Sequence, residues 1–114
     1  MDRPIYKVLT AEQWARAERD DRVEAPVDVA DGYVHFSTRE TLQGTLDKWF
    51  VGERDCVLLA YEPADFAATL RWEPSRGGLS FPHVYGPVLR SLARRTWTLA
   101  QNESGAPRAP DDLD

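Results

Sequence analysis

Apolar and polar positions alternate with a period of two over residues 4–9: Ile5, Lys7 and Leu9 fall on one side of an extended chain, Tyr6 and Val8 on the other. That period predicts a short strand. Thr10 stops it and, with Gln13 three residues on, forms a capping-box pattern, so a helix is expected over residues 11–18. Residues 20–32 mix charge with Pro26 and Gly32 without steady period and read as a surface loop. Residues 33–36 make a second strand. Ser37 with Glu40 repeats the capping-box spacing, and Leu42, Leu46, Trp49 and Phe50 then place an apolar stripe on a helix over residues 38–50. The near-continuous apolar run at 56–61 reads as a buried central strand. Residues 70–73, 81–85 and 95–100 read as further strands, and 62–66 and 88–94 as single helical turns. Arg76-Gly77-Gly78 lies in a loop over 74–80 that allows positive φ. The elements predict an α+β domain: a compact, split, mainly antiparallel twisted sheet with two short helices.

Composition changes this picture at the chain end. The 114 residues are 42% hydrophobic, enough for one ordered core without disulfides or metal. After Gln101 almost nothing is apolar, so one globular domain over 1–101 is expected to be followed by a disordered acidic tail at 102–114. The formal net charge of -5 argues against nucleic acid as a partner, since phosphate neutralisation needs clustered Lys and Arg. Arg90, Arg94 and Arg95 leave room only for a local basic patch. Cys56 is the only cysteine, which excludes an intrachain disulfide and a CxxC zinc site. No run has the apolar length of a signal peptide or a membrane span, so a cytoplasmic protein with no membrane partner is expected.

The candidate chemistry follows from splitting each strand into faces. Val34 and Phe36 oppose Tyr33 and His35; Leu70 and Trp72 oppose Arg71 and Glu73; Pro82 and Val84 oppose Phe81, His83 and Tyr85. Each strand therefore offers a core face and a second face, and the second faces together carry both histidines. Converged, they would line a cleft with aromatic walls and ionisable groups, the usual make-up of a small-molecule site. Structural alternatives stand beside this reading. His35 and His83 could be satisfied strand histidines, Arg71 and Glu73 a cross-strand pair, Ser37 and Thr38 simple helix caps, and Arg76 part of an ordinary turn. Metal-dependent hydrolysis through His35, His83 and Glu73 is a further alternative, although no short ligand spacing marks it. Cys56 opens an apolar strand, where cysteine acts as an inert small hydrophobe, and no GxSxG turn supports a serine nucleophile.

The IYK strand near the start, DGYVHFST and RWEPSRGGLSFPHVYGPV together closely resemble a small bacterial family, domain of unknown function 952, over residues 5 to 99. Val88 stands where a leucine is more usual. The resemblance implies a fold similar to ADP-ribosyltransferases, with NAD bound as a substrate between two halves of a split sheet and no covalently bound cofactor. By that likeness His35 would hold a ribose of NAD, Ser37 and Thr38 would help position the cofactor, and His83 and Tyr85 would stack on nicotinamide. Arg71 and Arg76 would hold phosphate, Phe81 or Tyr85 would offer a ring face, and Glu73 would stabilise a ribosyl oxocarbenium as the catalytic carboxylate. The expected partner is a small-molecule nucleotide such as NAD or ADP-ribose. The alternative is a non-enzymatic module whose polar, aromatic face docks a protein or peptide.

Overall fold

The computed structural model describes residues 3–74 and 78–113. Along these residues run β1 (Ile5–Leu9), α1 (Ala11–Asp20), α2 (Pro26–Asp31), β2 (Val34–His35), α3 (Leu42–Trp49), β3 (Val57–Tyr61), β4 (Leu70–Pro74), β5 (Ser80–Val84) and β6 (Arg95–Thr98). Single 3₁₀ turns occupy Pro63–Phe66 and Arg90–Leu92. The strands form two antiparallel sheets in the orders β1-β3-β6 and β2-β5-β4. The sheets are joined where Tyr6 N donates to Ser37 O at 2.8 Å and Ser37 N donates to Tyr6 O at 2.7 Å. The α+β, antiparallel architecture is the one the strand and helix periods predict. A radius of gyration of 13.1 Å matches one packed body of about 100 residues.

The first sheet is covered on both faces. Ile5, Leu9, Leu59 and Tyr61 pack against Val34, Phe36 and Val84 of the second sheet and against Ala17 of α1. On the other face Tyr6, Val8, Leu58 and Ala60 lie under Leu42 and Leu46 of α3, with Leu99 and Leu113. Two buried faces explain why β3 reads as an unbroken apolar run. Each leucine buried there contributes about 2 kcal/mol through the area it removes from water. The second sheet packs its Val34, Phe36 and Val84 side into the core, and its other face carries polar groups, of which His83 is buried.

Local chemistry accounts for where helices start and stop. Thr10 Oγ1 accepts from Gln13 N at 3.2 Å and Gln13 Oε1 accepts from Thr10 N at 3.0 Å, so the capping box forms as its spacing predicts. The segment expected to be a loop at 20–32 instead contains α2. Pro26 supplies its first position, the Asp28 carboxylate takes the Ala25 amide at 2.7 Å, and Gly32 closes it at φ 84°. The second capping box does not form. Ser37 is committed to the bridge between sheets and its hydroxyl turns to Thr45 Oγ1 at 3.1 Å, so α3 begins only at Leu42. Thr38 and Thr41 exchange amide and hydroxyl hydrogen bonds across the intervening turn. Leu42 and Leu46 are buried, Phe50 packs beside them, and Trp49 is exposed.

Residues 102–113, expected as a disordered tail, lie along the first sheet. Gln101 bridges Pro107, Arg108 N donates to Ala100 O at 2.7 Å, and Ala106 and Leu113 are buried. Asp112 pairs with Arg95 of β6. Leu113 and Ala109 join the apolar cluster between α3 and the first sheet, a placement that mean composition does not reveal.

Candidate functional site

The open face of the second sheet collects the residues that alternation assigns to it. His35 of β2 is directly opposite His83 of β5, and His83 is directly opposite Arg71 of β4, giving one row across three strands. Glu73 registers with Phe81 in the next row. On the other side Tyr33 lies over the histidines: its ring centroid is 4.3 Å from His83, 4.6 Å from His35 and 5.0 Å from Tyr85. The two imidazoles meet edge-on at 5.3 Å. Gly86 lets the chain after Tyr85 pass Thr69 closely, since a Cβ there would meet the Thr69 methyl at 3.0 Å. Beside the cluster is a cleft of about 440 Å³ lined by Ala68, Thr69, Arg71, Glu73 and Tyr85.

Carboxylates hold the rings in place. Glu73 Oε1 accepts from His83 Nδ1 at 2.8 Å and from the Tyr85 hydroxyl at 2.7 Å. Those two hydrogen bonds, Tyr85 first, bring the Glu73 carboxyl below its ordinary value. The same bond from Tyr85 to Glu73, with burial adding to it, pushes the Tyr85 phenol up to about 12. Burial and the charges of Asp31 and Glu73 raise the Tyr33 phenol as well.

His35 is held differently. Its ring Nδ1 is 2.6 Å from Asp28 Oδ1, its backbone amide donates to the same oxygen at 3.1 Å, and its Nε2 is 3.0 Å from Asp31 Oδ2. A carboxylate oxygen can only accept, so each of these two ring contacts is a hydrogen bond only where the nitrogen in it carries a proton; the shorter one, to the buried Asp28, favours the proton on Nδ1. Asp28 Oδ2 in turn takes Lys7 Nζ at 2.8 Å and the Ala25 amide. Burial alone would raise the Asp28 carboxyl, but hydrogen bonds from His35, the charge and hydrogen bond of Lys7 and the Ala25 amide bring it to about 2. Burial lowers the Lys7 ammonium against the pull of Asp28. Burial thus opposes the charge on both partners, and their mutual attraction and hydrogen bond offset it.

The structure brings together His35, Glu73, His83, Arg71, Phe81 and Tyr85. It does not bring in Ser37 or Thr38. Ser37 is buried at the junction of the sheets, and Thr38 lines a separate depression of about 530 Å³ with Arg3, Glu40, Leu70 and Trp72. That depression is larger, but its lining residues include neither histidine. Arg76 and Gly77 lie outside the described residues. Among the described residues no three His, Cys, Asp or Glu side chains are gathered as ligands of a metal ion. The metal-dependent alternative is therefore left without a donor set there. Cys56 is buried, and burial lifts its thiol to about 11, as expected of an inert core cysteine.

Sequence reasoning did not find Lys7, Asp28 and Asp31. Two signals were present. Pro26 and Gly32 are spaced as a helix start and stop, and a lysine between Ile5 and Leu9 on a strand face implies a buried partner.

These features define an α+β domain with a histidine-tyrosine-carboxylate cluster on the open face of its second sheet. The profile of a protein family of unknown function (DUF952) matches residues 8–96, and the chain belongs to that family. The crystal structure of protein CC0527 from Caulobacter crescentus is 42% identical, with a TM-score of 0.88 over 92% of this chain and 93% of that one. The solution NMR structure of CC0527 gives a TM-score of 0.80 over 92% of this chain and 91% of that one. No curated protein matches the sequence. Among the described residues no helix is long and apolar enough to cross a membrane.

Proposed function

We propose that the open face of the second sheet binds NAD, ADP-ribose or a related phosphorylated nucleotide. The observation that carries this reading is the convergence of Tyr33, His35, His83, Tyr85, Glu73 and Arg71 on one face of the second sheet, beside a cleft. The Tyr33 and Tyr85 rings suit a planar base, Arg71 offers charge to phosphate, and His35 with Asp31 offers hydrogen bonds to ribose hydroxyls. ADP-ribosyl transfer fits the same groups. The bond from the ribose anomeric carbon to nicotinamide would break as an acceptor bonds to that carbon, with Glu73 stabilising the oxocarbenium charge between. The test is an NMR titration with NAD, ADP-ribose and 2'-phosphorylated nucleotides, following the His35 and His83 ring signals. Saturable shifts, weakened in His35→Ala while the fold is kept, are the expected result. Unchanged ring signals up to millimolar ligand would overturn the reading.

A second reading is a non-enzymatic module that docks a peptide. It is favoured by the exposed Trp72 in the lining of the larger depression. It predicts no nucleotide response and loss of partner binding on Trp72→Ala.

A further inference from the structure

Position 7 is a core position that carries a charge. β1 turns Ile5, Lys7 and Leu9 toward the second sheet, and Ile5 and Leu9 are part of the main apolar cluster. The Lys7 side chain is only 6% exposed and its partner Asp28 1%. An apolar residue at 7 would avoid the desolvation that a buried ion pair incurs, and such replacements are often neutral or stabilising. The pair therefore calls for a reason other than stability.

The geometry of Asp28 supplies one. Its Oδ2 is fully used by Lys7 and the Ala25 amide, which fixes the carboxylate in place. Its Oδ1 then takes both the backbone amide and the ring Nδ1 of His35, gripping one residue at two points. The opposite ring nitrogen is in a different situation. Nε2 is 3.0 Å from Asp31 Oδ2, on a side chain that is 44% exposed at the last position of α2.

We infer that the buried Lys7–Asp28 pair is a positioning device for His35: it locks the ring with its proton on Nδ1 and leaves Nε2 as the atom that meets the ligand, in place of the neighbouring Asp31. The lysine keeps the carboxylate charged, and the carboxylate sets the tautomer and the ring angle, as buried acids do for working histidines elsewhere. An unprotonated Nε2 can only accept, so a ligand hydroxyl that donates to it would take the place of the Asp31 carboxylate, which has no proton to give, and the pair thereby selects ligands that present a hydroxyl at that point. The role of Nε2 rests on the nucleotide-binding reading above; the locking of Nδ1 does not.

The test reads ring nitrogens directly in ligand-free, isotope-labelled protein, at a pH where the imidazole is neutral. His83 serves as internal reference. The expected wild-type result is a proton on His35 Nδ1. In the double variant Lys7→Met with Asp28→Leu, which removes both charges, the His35 proton should redistribute toward Nε2 while His83 is unchanged. Affinity for ADP-ribose should fall roughly tenfold. Asp31→Asn should leave the Nδ1 proton where it is. A folded double variant whose His35 signals superimpose on the wild type would overturn the inference and make the pair a core staple only. So would a wild-type spectrum with Nδ1 unprotonated, which requires no variant to fold. If the wild type ignores ADP-ribose, the binding reading fails, and the tautomer result alone decides the role of the pair.

Discussion

His35 and His83 face each other across β2 and β5, yet they are anchored in opposite ways. The His35 ring is 31% exposed and rests on a carboxylate that is 1% exposed; the His83 ring is 8% exposed and rests on a carboxylate that is 38% exposed. One ring is tied through Asp28 and Lys7 into the apolar core between the sheets, and the other is tied through Glu73 to solvent and Tyr85. The difference matters because a charge interaction in the core is barely screened and has no water to replace a lost partner, whereas Glu73 keeps water on one side. Equal chemistry in one cross-strand row is therefore expected to respond unequally to the same kind of change.

The largest effect separates the two carboxylates. Asp28→Asn leaves the Lys7 ammonium buried without its counter-charge and is expected to lower stability by about 3–5 kcal/mol, measured by urea unfolding. Glu73→Gln is expected to leave the urea midpoint within the range of an ordinary surface substitution. Similar losses in both variants would erase the contrast.

Acid unfolding tests the same difference with smaller magnitude. The Asp28 carboxyl has a depressed value in the folded state, so its contribution is complete above the ordinary value of 3.8 and is lost as the pH falls through about 2. That contribution is about 2 kcal/mol. The wild type should therefore lose more stability across this window than the Lys7→Met, Asp28→Leu double variant. Parallel acid curves would show that Asp28 does not carry the linkage.

The smallest effect lies on the solvent side. Tyr85 owes its raised phenol, about 12, first to the hydrogen bond it donates to Glu73. In Glu73→Gln the ultraviolet tyrosinate titration should move one phenol down toward the ordinary tyrosine value of 10.0, with the His35 ring signals unchanged. A shift at His35 in that variant would mean the two anchors are coupled through Tyr33.

Much of the second sheet was legible beforehand because strand alternation is a property of a few consecutive residues. Tyr33 and His35, Arg71 and Glu73, and Phe81, His83 and Tyr85 fall on the faces that the period of two assigns. The Thr10 and Gln13 capping box was legible for the same local reason. Ser37 shows the limit of such reasoning. Its spacing to Glu40 is that of a cap, but hydrogen bonding to Tyr6 in another sheet takes precedence and moves the helix start to Leu42.

What the chain alone determined, then, was its α+β class, its strand faces and the set of residues that could share a polar surface, all consequences of backbone geometry over short spans. Tertiary structure decided which carboxylates hold which histidines. Lys7 and Asp28 are 21 residues apart, and they meet only because β1 packs its Lys7 face toward α2 and β2. Neither periodicity nor composition specifies which buried charges will be neighbours; that depends on how the sheets stack, where desolvation leaves a lone charge no tolerable position except beside its partner.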